Sequence, residues 1–133
     1  MQYAVGGAII EVGLRLPSDF DINYLKRGNV LCDPEYPIKL VNTFIARCVI
    51  YDLGAKGAIC RGEPIVVHSY SNKGAGKLQK FISIINQTTG EVIKSSPKFL
   101  RKGMFVILQI KMQERHCLEL FSNMKNIGRI VIR

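Results

Sequence analysis

The sequence has no tryptophan, no Cys-x-x-Cys pair and no apolar run near the ~20 residues that a membrane-spanning helix needs. The missing run excludes a helical membrane span. No lipidation or targeting signal is visible, so the cytoplasm is the expected compartment, with no membrane partner. The spacing of Cys32, Cys48, Cys60 and Cys117 fits none of the known structural zinc patterns, alone or with His68 and His116. Reduced thiols packed as small apolar side chains are expected instead, with Cys48 inside an apolar run. Cys117 and His116 cannot pair as nucleophile and base, because neighbours in one strand point to opposite faces. Aromatic residues make up only 8% of the chain, few for a surface that stacks bases.

Acid is scarce in the second half. Residues 1–72 hold seven basic and seven acidic side chains, whereas residues 73–133 hold twelve basic and three acidic. The whole formal charge of +9 therefore sits in the second half. Such one-sidedness suits RNA, acidic proteins or other polyanions, although a merely solubilising face has the same composition.

Apolar residues are 47% of the chain, enough for one compact domain, or one domain with a piece of a neighbour. Val and Ile are abundant, and Gly and Pro punctuate short runs, which favours strands. Ala8–Leu16 alternates like a strand. Asp21–Pro34 carries a tight turn at Gly28 before a short strand, and Asp33–Pro37 is a stiff linker. Phe44–Tyr51 is apolar at nearly every position and reads as a strand covered on both faces. Ile65–Tyr70, Lys77–Asn86, Phe105–Lys111, Cys117–Phe121 and Gly128–Arg133 complete the strands. In Lys77–Asn86, strict alternation puts Leu78, Lys80, Ile82 and Ile84 on one face. His68 reads as an ordinary half-buried strand residue. Phe44, Phe81, Phe99 and Phe105 fit core positions. No helix is evident. Short strands at this spacing predict an antiparallel barrel or sandwich.

Gly74-Ala75-Gly76-Lys77 looks like a phosphate cradle and fails the test. A nucleotide P-loop, G-x-x-x-x-G-K-[ST], needs glycine where Ser71 stands, a magnesium-binding hydroxyl where Leu78 stands, and a helix where a strand follows. A glycine-assisted hairpin loop with solvated lysines is expected. No acid-base constellation is found, so the chain reads as a non-enzyme without catalytic residues, metal site or bound cofactor.

Three segments in order resemble translational GTPases related to elongation factor Tu. Val5–Pro34 (VGGAIIEVGL…INYLKRGNVLCDP) is similar to the close of the family's second domain. Phe44–Tyr51 followed by Gly62-Glu63-Pro64 is similar to the opening of the third. Gly128–Arg133 (GRIVIR) resembles the G-R-F-x-x-R near that domain's end. Lys77–Gly103 (KLQKFISIINQTTGEVIKSSPKFLRKG) most resembles the HBS-type branch, the ribosome-rescue GTPase that partners Pelota. Next come the eukaryotic class-two release factor and the aminoacyl-tRNA-carrying elongation factor.

The resemblance implies an all-β fold: an antiparallel six-stranded Greek-key β-barrel (residues 37–133) preceded by a remnant of a second barrel (residues 1–36). It also implies that GTP and Mg belong to a GTPase domain outside this chain. The family has Phe where Ile130 stands, and it continues past the motif with one more strand, which leaves barrel closure open. The implied role in translation is docking of a Pelota-type decoding factor or a class-one release factor at the ribosome. Gly128, Arg129, Ile130 and Arg133 are the implied partner-binding residues, with Arg129 and Arg133 on one strand face. Lys73, Lys77, Lys94, Lys98, Arg101 and Lys102 are candidates for contact with RNA or an acidic partner. A free-standing RNA-binding barrel is the rival of another class.

Overall fold

The computed structural model describes Gly6 and residues 10–133. Eight strands follow in order: β1 (Leu40–Val49), β2 (Ile59–Cys60), β3 (Pro64–Ser69), β4 (Asn72–Ile85), β5 (Val92–Ser95), β6 (Phe99–Leu100), β7 (Phe105–Cys117) and β8 (Ile130–Ile132). A one-turn helix, α1 (Lys125–Gly128), precedes β8, and a 3-10 turn spans Ile22–Tyr24. All pairings are antiparallel. The main sheet runs β1-β7-β4-β3-β8, with β5 also on β4, while β2 and β6 form a small ribbon. The fourteen-residue β4 divides one edge between two partners, β3 along Asn72–Lys77 and β5 along Ser83–Ile85.

The sheet curls around one core. Ile65, Val67, Leu78, Phe81, Val106, Leu108, Ile110 and Met112 point inward from β3, β4 and β7. Leu100 and half-buried Ile59 bring the ribbon onto the same core. The ring is open, because β1 and β8 stand at the two ends of the strand order and do not pair.

Several expected elements change. Residues 10–16 form no strand, and Ile10, Val12 and Leu14 are exposed; the rest of the expected strand lies outside the described residues. Alternation alone does not hold a strand that has no partner to share its ladder. The short strand expected near Val30 is likewise absent. β1 is covered on one face only: Phe44, Ala46 and Cys48 pack against the core, while Ile45 is 65% exposed. On β4, register shifts between Leu78 and Lys80 and between Phe81 and Ser83 reset the alternation. Leu78, Phe81, Ser83 and Ile85 therefore share the inside, and Lys80 points out. β7 runs unbroken from Phe105 to Cys117, and Leu118–Met124 is a loop rather than a strand. Phe99 is 43% exposed, with the Arg101 guanidinium 5.0 Å from its ring centre, so it is not a core residue.

The glycines of the Gly-Ala-Gly-Lys stretch do not make the hairpin turn. They lie within β4, where Val67 faces Gly74 and Ile65 faces Gly76. The turn falls on Tyr70 and Ser71, and Tyr70 takes a left-handed φ of 50°, costly for a bulky residue. What the glycines provide is room. A Cβ on Gly74 would strike the imidazole of His116, which is 7% exposed and whose Nε2 has no hydrogen-bond partner. A Cβ on Gly76 would lie 2.8 Å from the Lys111 carbonyl oxygen. These two positions let β4 press against β7.

Candidate partner-docking surface

The segment that positions β8 begins beneath Phe121. Gly128 N–H donates to the Met124 carbonyl at 2.9 Å, and Ser69 Oγ donates to the Ile127 carbonyl at 3.2 Å, tying α1 to the end of β3. Gly128 is packed so closely that a Cβ would sit 2.5 Å from Phe121 Cα and 2.6 Å from its nitrogen. Arg129 then leaves the helix with φ −95° and ψ 131°. The chain continues extended beside β3, pairing Ser69 with Ile130, His68 with Val131 and Val67 with Ile132. Arg133 extends the ladder: its N–H donates to the Val66 carbonyl at 2.9 Å, and Val66 N–H donates back at 2.7 Å.

This geometry sorts the expected docking residues. Arg129 and Arg133 are exposed on one side of the strand, with 55% exposed Val131 between them. Ile130 and half-buried Ile132 face the other way, against the core. Ile130 and Gly128 therefore build the platform, and only the two arginines reach out from it. The sequence reading missed the apolar neighbours of this row. The Arg129 guanidinium stands 5.7 Å from the Phe121 ring centre, and Leu120, Phe121 and Met124 are exposed at 67%, 48% and 50%. Reading Cys117–Phe121 as a strand hid them.

The six basic candidates divide into two groups. Lys73 and Lys77 lie on the outer face of β4, where Lys77 stands directly opposite Lys111 of β7. Lys80 and Arg115 are exposed on the same two strands. Lys94 is on β5, and Lys98, Arg101 and Lys102 flank β6. Glu114, exposed on β7, is the only acidic residue in any of the eight strands. Two lysines facing each other across a ladder repel, a cost that an anionic partner relieves. The single ion pair among the described residues, Lys56 Nζ to Glu63 Oε1, lies elsewhere.

Other chemistry is sparse. Gly76 pairs with β3 and β7 and Gly74 with β3, and no helix follows, so the stretch does not form the loop and helix N-terminus that a phosphate cradle needs. No group of three or more His, Cys, Asp or Glu converges among the described residues. Cys32 and Cys60 are exposed rather than packed, whereas burial pushes the Cys48 thiol up to about 11. No helix among the described residues is long and apolar enough to cross a membrane.

Comparison with known proteins adds the family. The chain is 28% identical to Protein HBS1 of Drosophila melanogaster over 92% of its own length and 18% of that protein's. It is 34% identical to elongation factor 1-alpha of Methanopyrus kandleri, covering 84% of the chain and 26% of the relative. It is 27% identical to the eukaryotic peptide chain release factor GTP-binding subunit of Zygosaccharomyces rouxii, covering 80% and 16%. The chain thus spans about a quarter or less of these relatives. The solved structure of sup35 complexed with GDP superposes with a TM-score of 0.76 at 26% identity, over 85% of this chain and 27% of that one. That fold is the expected antiparallel β architecture of a translational GTPase's C-terminal part. Residues 43–133 match the family model described as GTP-eEF1A C-terminal domain-like, and the chain belongs to this family.

Proposed function

We propose that this chain is the non-catalytic partner-docking barrel of a translational GTPase, acting in the cytoplasm. Its partner is a tRNA-mimicking decoding factor of the Pelota type, in ribosome rescue and no-go mRNA surveillance. The observation that carries the reading is the outward row Arg129–Val131–Arg133 beside Phe121, in a chain aligned over 92% of its length with Protein HBS1. Arginine and aromatic side chains are the groups that most often dominate protein interfaces. Two guanidiniums on one strand face can each hold a carboxylate in a paired hydrogen bond. The lysines of β4 and β7 supply long-range attraction toward the ribosome's phosphates. GTP and Mg are bound by another domain of the parent protein, and residues 1–36 belong to the preceding barrel.

A second reading is favoured by the likeness to sup35 at a TM-score of 0.76 and to the release factor subunit. On it, the same row holds the class-one release factor during termination. Pull-down of purified Pelota against the class-one factor separates the two. The Arg129→Ala/Arg133→Ala variant is expected to lose about 2–5 kcal/mol of binding to the true partner. If it binds both factors as wild type does, the row is not the docking site. If the wild-type chain binds neither factor, and the variant keeps most of the chain's unaided affinity for RNA, the free-standing RNA barrel is the better reading.

A further inference from the structure

Strand β5 is exposed at all four positions, with Val92 and Ile93 at 58% and 66%. It pairs on one side only, with Ser83–Ile85 of β4, and its other edge has no ladder partner among the described residues. The strand is well anchored. Asn86 N–H donates to the Glu91 carbonyl at 2.8 Å before it, Ser96 N–H donates to the Ile82 carbonyl at 2.8 Å after it, and Pro97 is buried. An exposed apolar edge is a ready template for another strand, and proteins usually cover or blunt it. Around this one the charge has one sign. Lys94, Lys98, Arg101 and Lys102 are all exposed, none is in an ion pair among the described residues, and Glu91 is the only acid between Asn86 and Met104. Half-exposed Phe99 lies under Arg101 in the same segment.

We propose that the β5 edge docks an extended acidic segment of a partner protein, which adds as a strand beside Val92–Ser95 and sets its carboxylates against Lys94, Lys98 and Arg101. Backbone bonds supply the attachment, the apolar pair gives its side chains something to cover, and the cations select for acid. A second copy of this chain would bring its own Lys94 and Lys98 to the edge. RNA would leave Val92 and Ile93 uncovered and find only Phe99 for stacking. The surface is distinct from the docking row, since β8 pairs with β3 at Val67–Ser69 and β5 pairs with β4 at Ser83–Ile85. The inference therefore stands independently of the function proposed above.

The test uses the whole chain and a fluorescent peptide of about eight residues that alternates Glu with Val and Ile. Fluorescence anisotropy is expected to show saturable binding, with β5 amides gaining hydrogen-exchange protection. N-methylation of alternate peptide amides on the edge that pairs is expected to weaken binding about tenfold or more. Lys94→Glu/Lys98→Glu is expected to weaken it to a similar extent, and Arg129→Ala/Arg133→Ala to leave it unchanged. The methylated peptide needs no altered protein, so misfolding cannot explain its loss. Absence of saturable binding, or equal binding of the methylated peptide, overturns the proposal. So does a duplex RNA that protects the β5 amides when the peptide does not.

Discussion

Replacing Gly76 by alanine isolates the close approach of β4 to β7. The added Cβ would meet the Lys111 carbonyl oxygen at 2.8 Å and Met112 Sδ at 2.9 Å, against the 3.4 Å at which ordinary contact begins. The Met112 side chain can swing aside. The carbonyl cannot, because it belongs to the backbone of β7, so the strands must part by about half an ångström in a close-packed region. Overpacking of this kind costs about 1–3 kcal/mol. Alanine also restricts the unfolded chain, which returns about 0.4–1 kcal/mol. The net loss is about 1–2 kcal/mol, a fall in melting temperature of about 4–8 °C for a domain of this size. Gly57→Ala is the control: nothing lies within 4 Å of its Cβ and its φ is not left-handed, so its stability should be unchanged or slightly raised. Thermal unfolding followed by circular dichroism reads both. If Gly76→Ala melts at or above wild type, the inference that this glycine is there for strand contact is wrong.

Gly128→Ala sets its Cβ against Phe121 backbone atoms at 2.5 and 2.6 Å, so it should cost about 1–3 kcal/mol in urea unfolding and weaken partner binding as well. Arg129→Ala, at an exposed position, should leave stability within about 0.5 kcal/mol and change binding alone. Phe81, 1% exposed at the centre of the core, should lose about 3–5 kcal/mol on replacement by alanine, read from the urea midpoint. Cys48 predicts a pH dependence. Burial raises its thiol from 9.0 to about 11 in the folded chain, so the unfolded chain ionises first. Stability from this group is full below pH 9 and is lost as pH rises toward 11, by on the order of 2 kcal/mol, and Cys48→Ala should flatten that decline in urea titrations.

The strands were legible where a side-chain period met a partner. Ile65–Tyr70 and Phe105–Lys111 alternate cleanly and form β3 and much of β7. Period alone was insufficient in two places. Residues 10–16 alternate as well as any strand, yet no ladder receives them among the described residues. β4 carries register shifts against β7 that no local composition announces, so strict alternation put Lys80 on the face with Leu78 and missed that Leu78 and Phe81 share the inside. Both failures have one cause: register is a property of two strands, and a single segment records only half of it. The Gly-Ala-Gly-Lys stretch shows the same thing from the other side. A glycine looks alike in sequence whether it turns a loop or makes room for a neighbour, and only the position of His116 and the Lys111 carbonyl distinguishes the two.

The charged surface was legible as a total and illegible as a layout. Twelve cations against three acids in residues 73–133 suited a polyanionic or acidic neighbour, or a merely solubilising face, and assigned the charge to no one surface. Strand parity separates them. Arg129 and Arg133 alternate outward with Val131 on β8. Lys73, Lys77 and Lys111 stand on the outer face of β4 and β7, where small Ala75 lies between Lys73 and Lys77, and polar Gln79 and Gln109, hydrogen-bonded to each other, stand beside the Lys77–Lys111 pair. Lys94, Lys98, Arg101 and Lys102 surround an apolar edge. These settings differ in what they ask of a ligand. Arginines next to an exposed phenylalanine suit a folded protein with apolar and acidic contacts. A polar, lysine-rich sheet face suits diffuse attraction that salt screens. An open edge with Val92 and Ile93 suits a backbone that can hydrogen-bond. Raising salt should therefore weaken long-range attraction through the β4–β7 lysines first. Contacts that cover Phe121 or the β5 edge should weaken less, because salt screens their carboxylate pairs but not their desolvated apolar area and backbone hydrogen bonds.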